Sequence, residues 1–337
     1  MKIAFIYYDF SSFVRQDFET LSRHFQVEKA NYRKPLDILR IAGSIWRSDA
    51  SFAWFASGHS FLSVLLSKIM GKKSIVVAGG YDVAFAPEIG YGQYTLGWHK
   101  RKYADFALKN ADLVLAVSDF TKTEAMAHAK PKNIKVIYNA IDTDKFRPAS
   151  EKEERTREDL VLTVASGLKN VIKLKGLGVF VHAAAHIPDA KFIVLGLSND
   201  DRDTLKGIQS TNNIELHGYV NQEELISYYQ RAKVYCQLSY RESFGVALAE
   251  AMACGCVPVV TNRGALPEVV DNIGFSVSYG DLESTVSSIK RALRDNNGTR
   301  ARARIEERFS QKIRERKLRY AIERLVIKSP RERDNRR

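Results

Sequence analysis

Two glutamates with seven residues between them, Glu242 and Glu250, frame the stretch of sequence best suited to chemistry. Residues 234–238 before them are apolar and read as a buried strand. Residues 245–253 are rich in Ala and Leu, read as a short helix, and are stopped by Gly255. A second apolar run at 257–260 reads as the next strand. Where the loop enters the helix, at Ser243, Phe244, Gly245 and Val246, backbone N–H groups have no partner within the helix. Such a turn suits an anion such as a diphosphate. A carboxylate is repelled by phosphate but accepts hydrogen bonds from a pair of hydroxyls, as on a sugar or a ribose. An anion-binding turn flanked by two such carboxylates points to a nucleotide-sugar site. The alternative is a buried helix with two incidental glutamates, and it conflicts with the rarity of buried, unpaired Glu.

The elements that must hold this turn are legible along the rest of the chain. Runs at 2–8, 27–32, 51–56, 74–78, 111–118 and 134–138 read as strands, and so do 160–165, 192–195, 214–220, 234–238, 257–260 and 274–277. Helical stretches separate them, so each half is expected to be an α/β unit with a parallel sheet. Several loops follow strand ends, where ligands gather in such folds. Ser11 and Ser12 follow the first strand and could contact a phosphate or an acceptor, or cap the next helix. Gly79-Gly80-Tyr81-Asp82 ends the fourth strand, and Asp82 suits either a ligand contact or a turn. Tyr91, Tyr94, Trp98 and His99 make the following loop aromatic, suited to stacking on a sugar or to packing. Ser166-Gly167-Leu168-Lys169 opens a loop expected to run on to Lys175-Gly176. Residues 151–159 are densely charged and read as a linker, and 300–327 as basic and helical.

At 337 residues the chain is long enough for two domains. A hydrophobic fraction of 45% supports packed cores rather than disorder. Cys236, Cys254 and Cys256 lie in or beside apolar segments, are odd in number, and are expected to be reduced core residues. No Cys/His spacing matches a zinc site. The start is too short for a signal segment and no apolar run reaches a membrane-spanning length, so the expected location is cytoplasmic. The net charge of +13 is uneven: 21 Lys/Arg face 14 Asp/Glu over residues 1–147, and 18 face 7 over residues 290–337. Both basic regions could attract anionic partners or be simply solvated surface.

The segment from Glu242 to Glu250, with Ser-Phe-Gly after the first Glu, resembles the E-x7-E motif of retaining family-4 glycosyltransferases. The resemblance extends through Gly255-Cys256-Val257-Pro258-Val259-Val260 and Gly264-Ala265-Leu266-Pro267-Glu268, is strong over 160–277, moderate over 111–148 and weak before that. Three departures stand out. The first loop lacks the family's Gly-Gly, Tyr81-Asp82 replaces a His-Asp pair, and Ala140 replaces a Gly. The resemblance implies a GT-B architecture: two Rossmann-like βαβ domains facing a cleft. Residues 1–147 would form the acceptor-side domain and 148–310 the nucleotide-sugar domain, with a basic helix and tail at 311–337 crossing back to the first. It implies metal-independent hexosyl transfer from a nucleoside-diphosphate sugar, as substrate rather than cofactor, to a hydroxyl of a glycan or lipid-linked acceptor. The anomeric configuration would be retained through same-face attack, with the donor phosphate taking the acceptor proton. Glu242 would hold sugar hydroxyls, Glu250 the ribose, and Lys175, with Lys169 in place of the usual Arg, the diphosphate. Gly218 and Tyr219 would lie near the base, and Ser11, Tyr81 and Asp82 near acceptor or sugar. Peripheral contact with an anionic membrane at its cytoplasmic face fits the charge, and nucleic acid is not an expected partner. Two other readings stay open: a nucleotide-sugar epimerase or phosphorylase on the same fold, and a non-catalytic binder of anionic polymers or membranes.

Overall fold

The computed structural model describes residues 1–34, 36–149, 157–165 and 170–327. Gly167, Lys169, most of the charged linker and the last ten residues of the tail lie outside the described residues. The chain divides into two compact units. One comprises Met1–Asn139 together with the segment from Lys312 onward; the other is Ala140–Gln311. The division falls a little before the expected 147/148.

The first unit holds a six-stranded parallel sheet in the order β2-β1-β3-β4-β5-β6. Its strands are β1 Lys2–Tyr7, β2 Gln26–Asn31, β3 Ala50–Trp54, β4 Lys73–Ala78, β5 Leu113–Ala116 and β6 Ile134–Val136. The central strands are apolar on both faces because helices cover both. Val14 and Leu21 pack on one face beside Leu318, Ala321 and Ile322 of the last helix, Gln311–Ile327. Ile41 and Ile45 of the helix Asp37–Trp46, Val64 of Gly58–Ile69 and Leu108 of Trp98–Asn110 pack on the other.

The last helix is pinned by a buried ion pair. Arg314 Nε and Nη2 each lie 2.7 Å from the Asp17 carboxylate. Arg314 Nη1 donates to the carbonyls of Ile137 and Tyr138 at 2.8 and 2.6 Å, and Trp54 Nε1 donates to Asp17 at 3.1 Å.

The second unit holds another parallel sheet, ordered β12-β11-β10-β7-β8-β9. Its strands are β7 Glu158–Val164, β8 Lys191–Leu195, β9 Ile214–Leu216, β10 Ala232–Gln237, β11 Val257–Thr261 and β12 Phe275–Val277. Counted within the unit this is the doubly wound order 3-2-1-4-5-6, whose strand order reverses between β7 and β10.

Two expectations are corrected. The stretch expected as a loop up to Lys175 contains a helical turn, Val171–Lys175, entered through Asn170 in the left-handed region (φ 58°). Val171 and Leu174, three apart, are its buried face, and five residues are too few to show a helical period in sequence. The helical pattern at 300–327 is two helices, Gly298–Phe309 and Gln311–Ile327, broken at the extended Ser310, which bridges to Ile141.

Candidate functional site

The strand reversal of the second unit places the carboxyl ends of β7 and β10 side by side with their loops diverging, which leaves room for a ligand. Lys175 follows β7 and Glu242 follows β10. The two side chains form an ion pair, Lys175 Nζ on Glu242 Oε1, and are largely shielded, with 12% and 15% of their surfaces exposed. The same carboxylate oxygen accepts from Gln237 Nε2 at 3.0 Å and Ser239 Oγ at 3.3 Å. Gln237 is in turn held by Tyr235, whose hydroxyl donates to Gln237 Oε1 at 3.1 Å.

Three loops are tied together around this pair. Tyr240 N donates to Leu174 O at 2.8 Å, and Ala265 N to Glu242 O at 2.9 Å. Gly176 adopts φ +64°, and a Cβ there would fall 2.2 Å from Leu238 O. Gly264 adopts φ +61°, and its Cβ would fall 2.3 Å from Glu242 O. Only glycine permits both approaches, so Lys175 and Glu242 are carried on backbone that other residues would push apart.

The expected helix is Val246–Ala253, entered through Gly245 at φ 89°. Phe244 is buried against Phe309 in an edge contact, ring centroids 5.4 Å apart. This anchors the turn from below, so Phe244 is a packing residue. Ser243 Oγ accepts from Arg241 Nη1 at 3.1 Å. The first-turn N–H groups at Gly245 and Val246 head the helix, where its dipole favours an anion.

Glu250, about one turn into the helix, accepts from Tyr229 OH at 3.2 Å. Burial pushes its carboxyl up from the ordinary 4.5 to about 7, against the lowering effects of the Tyr229 hydrogen bond and the Lys145 charge. Because the folded value is raised, the folded protein holds a proton that the unfolded chain releases. Stability is therefore lost as pH rises from about 4.5 through 7. Glu250→Gln, which cannot ionise, is expected to be more stable than wild type by about 3 kcal/mol near pH 8, the gain shrinking as pH falls and vanishing below about pH 4. Urea denaturation across that range measures it, and coincident midpoints at every pH would refute the assignment.

The other expected residues are dispersed. Gly218 O accepts from Gly196 N at 2.9 Å at a strand-end turn, and Tyr219 beside it is 91% exposed. In the first unit the Asp82 carboxylate is buried and taken up by the N–H groups of Ala56, Gly79 and Gly80 at 2.6, 3.0 and 2.7 Å. Of its two readings, turn and ligand contact, this geometry is the turn's. Tyr81 stands exposed with its ring edge-on to Tyr91. Ser11 precedes the first helix without a side-chain cap, and its hydroxyl is buried without a partner. Gln237 and Ser239 were missed from sequence; polar residues inside an apolar strand run were the available signal. The sequence reading that no Asp-x-Asp motif is present is corrected, since the chain holds two such pairs, at 142/144 and 201/203. Asp142 accepts from the N–H groups of Asp144 and Lys145, and Asp201 from Ser198 Oγ, so both serve local turns. Among the described residues no group of three His, Cys, Asp or Glu could hold a metal ion. All three cysteines are buried and free, and burial pushes their thiols up.

Comparison with known proteins gives the arrangement a family. Residues 146–315 match the model for glycosyl transferases group 1, and residues 32–145 that for Glycosyltransferase Family 4. A phosphatidylinositol N-acetylglucosaminyltransferase chain from Arabidopsis thaliana is 26% identical over 70% of the chain and 53% of its own length. N-acetyl-alpha-D-glucosaminyl L-malate synthase of Bacillus anthracis is 29% identical over 62% of the chain and 58% of its own length. The chain thus spans about half the length of these curated relatives. In structure it is similar to sucrose-phosphate synthase from Thermosynechococcus elongatus (TM-score 0.76, 18% identity, 97% of this chain and 99% of that one). It is equally similar to Anabaena HepE solved with UDP (TM-score 0.76, 17% identity, 96% and 99%). These likenesses establish the fold as GT-B, two Rossmann-like domains. With the group 1 model covering half of its length and the family 4 model most of the rest, the chain belongs to the family-4 glycosyltransferases.

Proposed function

We propose that the chain transfers a hexosyl group from a nucleoside-diphosphate sugar to a hydroxyl of a glycan or lipid-linked acceptor, retaining the anomeric configuration and needing no metal ion. The observation that carries this reading is the shielded Lys175–Glu242 pair beside the N-terminus of the helix Val246–Ala253. A cation, a carboxylate and a helix end in one place match the three chemistries of such a donor. On donor binding, Lys175 exchanges Glu242 for the diphosphate, and Glu242 exchanges Lys175 for sugar hydroxyls. Gly245 and Val246 N–H groups add to the diphosphate contact, and Glu250 accepts from the ribose. Charge on the leaving diphosphate grows in the transition state, so fixed positive groups there favour reaction over mere binding.

The test is a panel of nucleotide sugars screened by thermal shift, because a ligand that binds only the folded state raises its melting temperature. The relatives named above point to N-acetylglucosaminyl donors as the first to try. The anomeric configuration of the product, read by NMR, tests retention, and incubation without acceptor tests the epimerase alternative. Lys175→Ala is expected to weaken nucleoside-diphosphate binding by about 1.5–3 kcal/mol, the scale of a hydrogen bond to a charged group. Chelator is expected to leave wild-type binding and turnover in place. Undiminished affinity in the variant, or activity lost to EDTA and restored by Mg²⁺ or Mn²⁺, would mean that the diphosphate is held another way.

A further inference from the structure

Both basic regions of the sequence were candidates for an anionic surface, and the structure uses three arginines of the tail internally. Arg302 donates to the carbonyls of Phe146, Thr143 and Ala253, Arg304 to those of Glu268 and Val269, and Arg314 is buried on Asp17. The basic first unit presents a surface of the required character. The helix Asp37–Trp46 buries Asp37, Ile41, Ser44 and Ile45 on one side. On the opposite side Leu36, Leu39 and Trp46 project into solvent, 72%, 75% and 68% exposed. Their spacing of three and seven residues aligns them in a single stripe along the helix. Arg33 and Lys34, also exposed, precede that stripe, while Arg40 and Arg47 beside it are paired with Asp37 and Glu28.

The neighbouring helices on the same side of the sheet continue the pattern. Ile69 at the end of Gly58–Ile69 is 72% exposed and Trp98 at the start of Trp98–Asn110 is 68% exposed. Where these two helices end lies a cavity of about 510 Å³, lined by Lys68, Lys72, Lys73, Lys109 and Lys132 around Ser74 and Asp112. Carboxylates are sparse on this side and are already engaged. Asp37 accepts from the Arg33 and Lys34 N–H groups and from Arg40, and Asp105 accepts from Tyr94 OH. Glu28 pairs with Arg47 and Lys2, and Asp112 with Lys73. An apolar stripe with cationic flanks on a helix lying along a surface is the signature of interfacial binding to anionic lipid.

We infer that this three-helix face of the first unit docks on an anionic bilayer, with Leu36, Leu39 and Trp46 entering the headgroup region and the lysine-lined cavity taking lipid phosphate. The helix Asp37–Trp46 then lies in the plane of the interface. The inference shares with the proposed function only the notion of a lipid-borne acceptor. Glu242→Ala, expected to lose most transfer, should bind vesicles as wild type does, so the two readings fail separately.

The experiment is sedimentation of the full chain with phosphatidylcholine vesicles, with and without phosphatidylglycerol, at low and high salt. Wild type is expected to pellet with the anionic vesicles at low salt only. The double variant Leu39→Ser/Trp46→Ser, folded by its melting temperature, is expected to bind roughly tenfold more weakly. Trp46→Phe should still bind but lose part of the blue shift of tryptophan emission on contact, the remainder coming from Trp98. Three results would overturn the inference: no pelleting of wild type, equal pelleting on neutral vesicles, or undiminished binding by the double variant. A concentration-dependent dimer in sedimentation velocity, dissolved by that variant, would instead assign the face to a second copy of the chain and likewise overturn it.

Discussion

Transfer by Glu242→Ala is expected to fall by about 10²–10³-fold, the scale on which one preorganised polar contact at a reacting group acts. The loss should appear mainly in kcat. In the proposed complex Glu242 meets sugar hydroxyls, while the diphosphate is held by Lys175 and the helix end. Nucleoside-diphosphate affinity should be kept or slightly raised, since Lys175 loses its competing partner. Glu242→Gln separates charge from shape, because its amide oxygen can still accept from Gln237 and Ser239. It should fold as well as wild type and remain strongly impaired. Initial rates, with melting temperatures as the folding control, decide the matter. A folded Ala variant with wild-type kinetics would remove Glu242 from the donor site.

Asp17→Ala is expected to destabilise the first unit by about 3–5 kcal/mol, the range for breaking a buried pair and leaving one charge uncompensated. Arg314 would keep its bonds to the carbonyls of Ile137 and Tyr138 but lose two charge-assisted contacts, and Trp54 Nε1 would lose its acceptor. For a unit of this size the melting transition should drop by roughly 10 °C. Arg314→Met alone should be as harmful, since it strands Asp17. The double variant Asp17→Leu/Arg314→Met should lose less than the two single effects combined, because neither charge is then left behind. Calorimetry on the three variants measures this, and strict additivity would show that the pair is not coupled.

What could be read from sequence follows from how local each feature is. Glu242, Gly245 and Glu250 lie on one contiguous strand–turn–helix segment, so their spacing alone places them. Lys175-Gly176 was marked only through the family resemblance, since nothing in its own spacing singles it out. Pairings between distant segments were not legible. That Lys175 closes on Glu242 depends on β7 and β10 being neighbours although β8 and β9 intervene. Asp82 carried two readings because the convergence of three N–H groups on its carboxylate needs Ala56, from the end of another strand. Arg302, Arg304 and Arg314 looked like surface charge because a carbonyl acceptor leaves no trace in side-chain sequence. The stripe of Leu36, Leu39 and Trp46 was hidden by its own helix, where apolar residues on the outer side blur the contrast on which periodicity depends.

The union of Asp17 with Arg314 also sets a schedule for synthesis. The partners are 297 residues apart in the chain. At ribosomal speeds of about 5–20 residues per second, Asp17 waits roughly 15–60 s for its counter-ion. The second unit is a single continuous stretch and can complete itself as it emerges. The first is a discontinuous one, and until the last helix arrives the sheet face around Phe5, Phe52 and Val77 lacks its cover from Leu318 and Ile322. The nascent first unit therefore leaves apolar surface of the kind chaperones bind uncovered, and is expected to depend on them during that interval. A circular permutant that joins residues 312–327 ahead of Met1 would shorten the wait and should lessen that dependence.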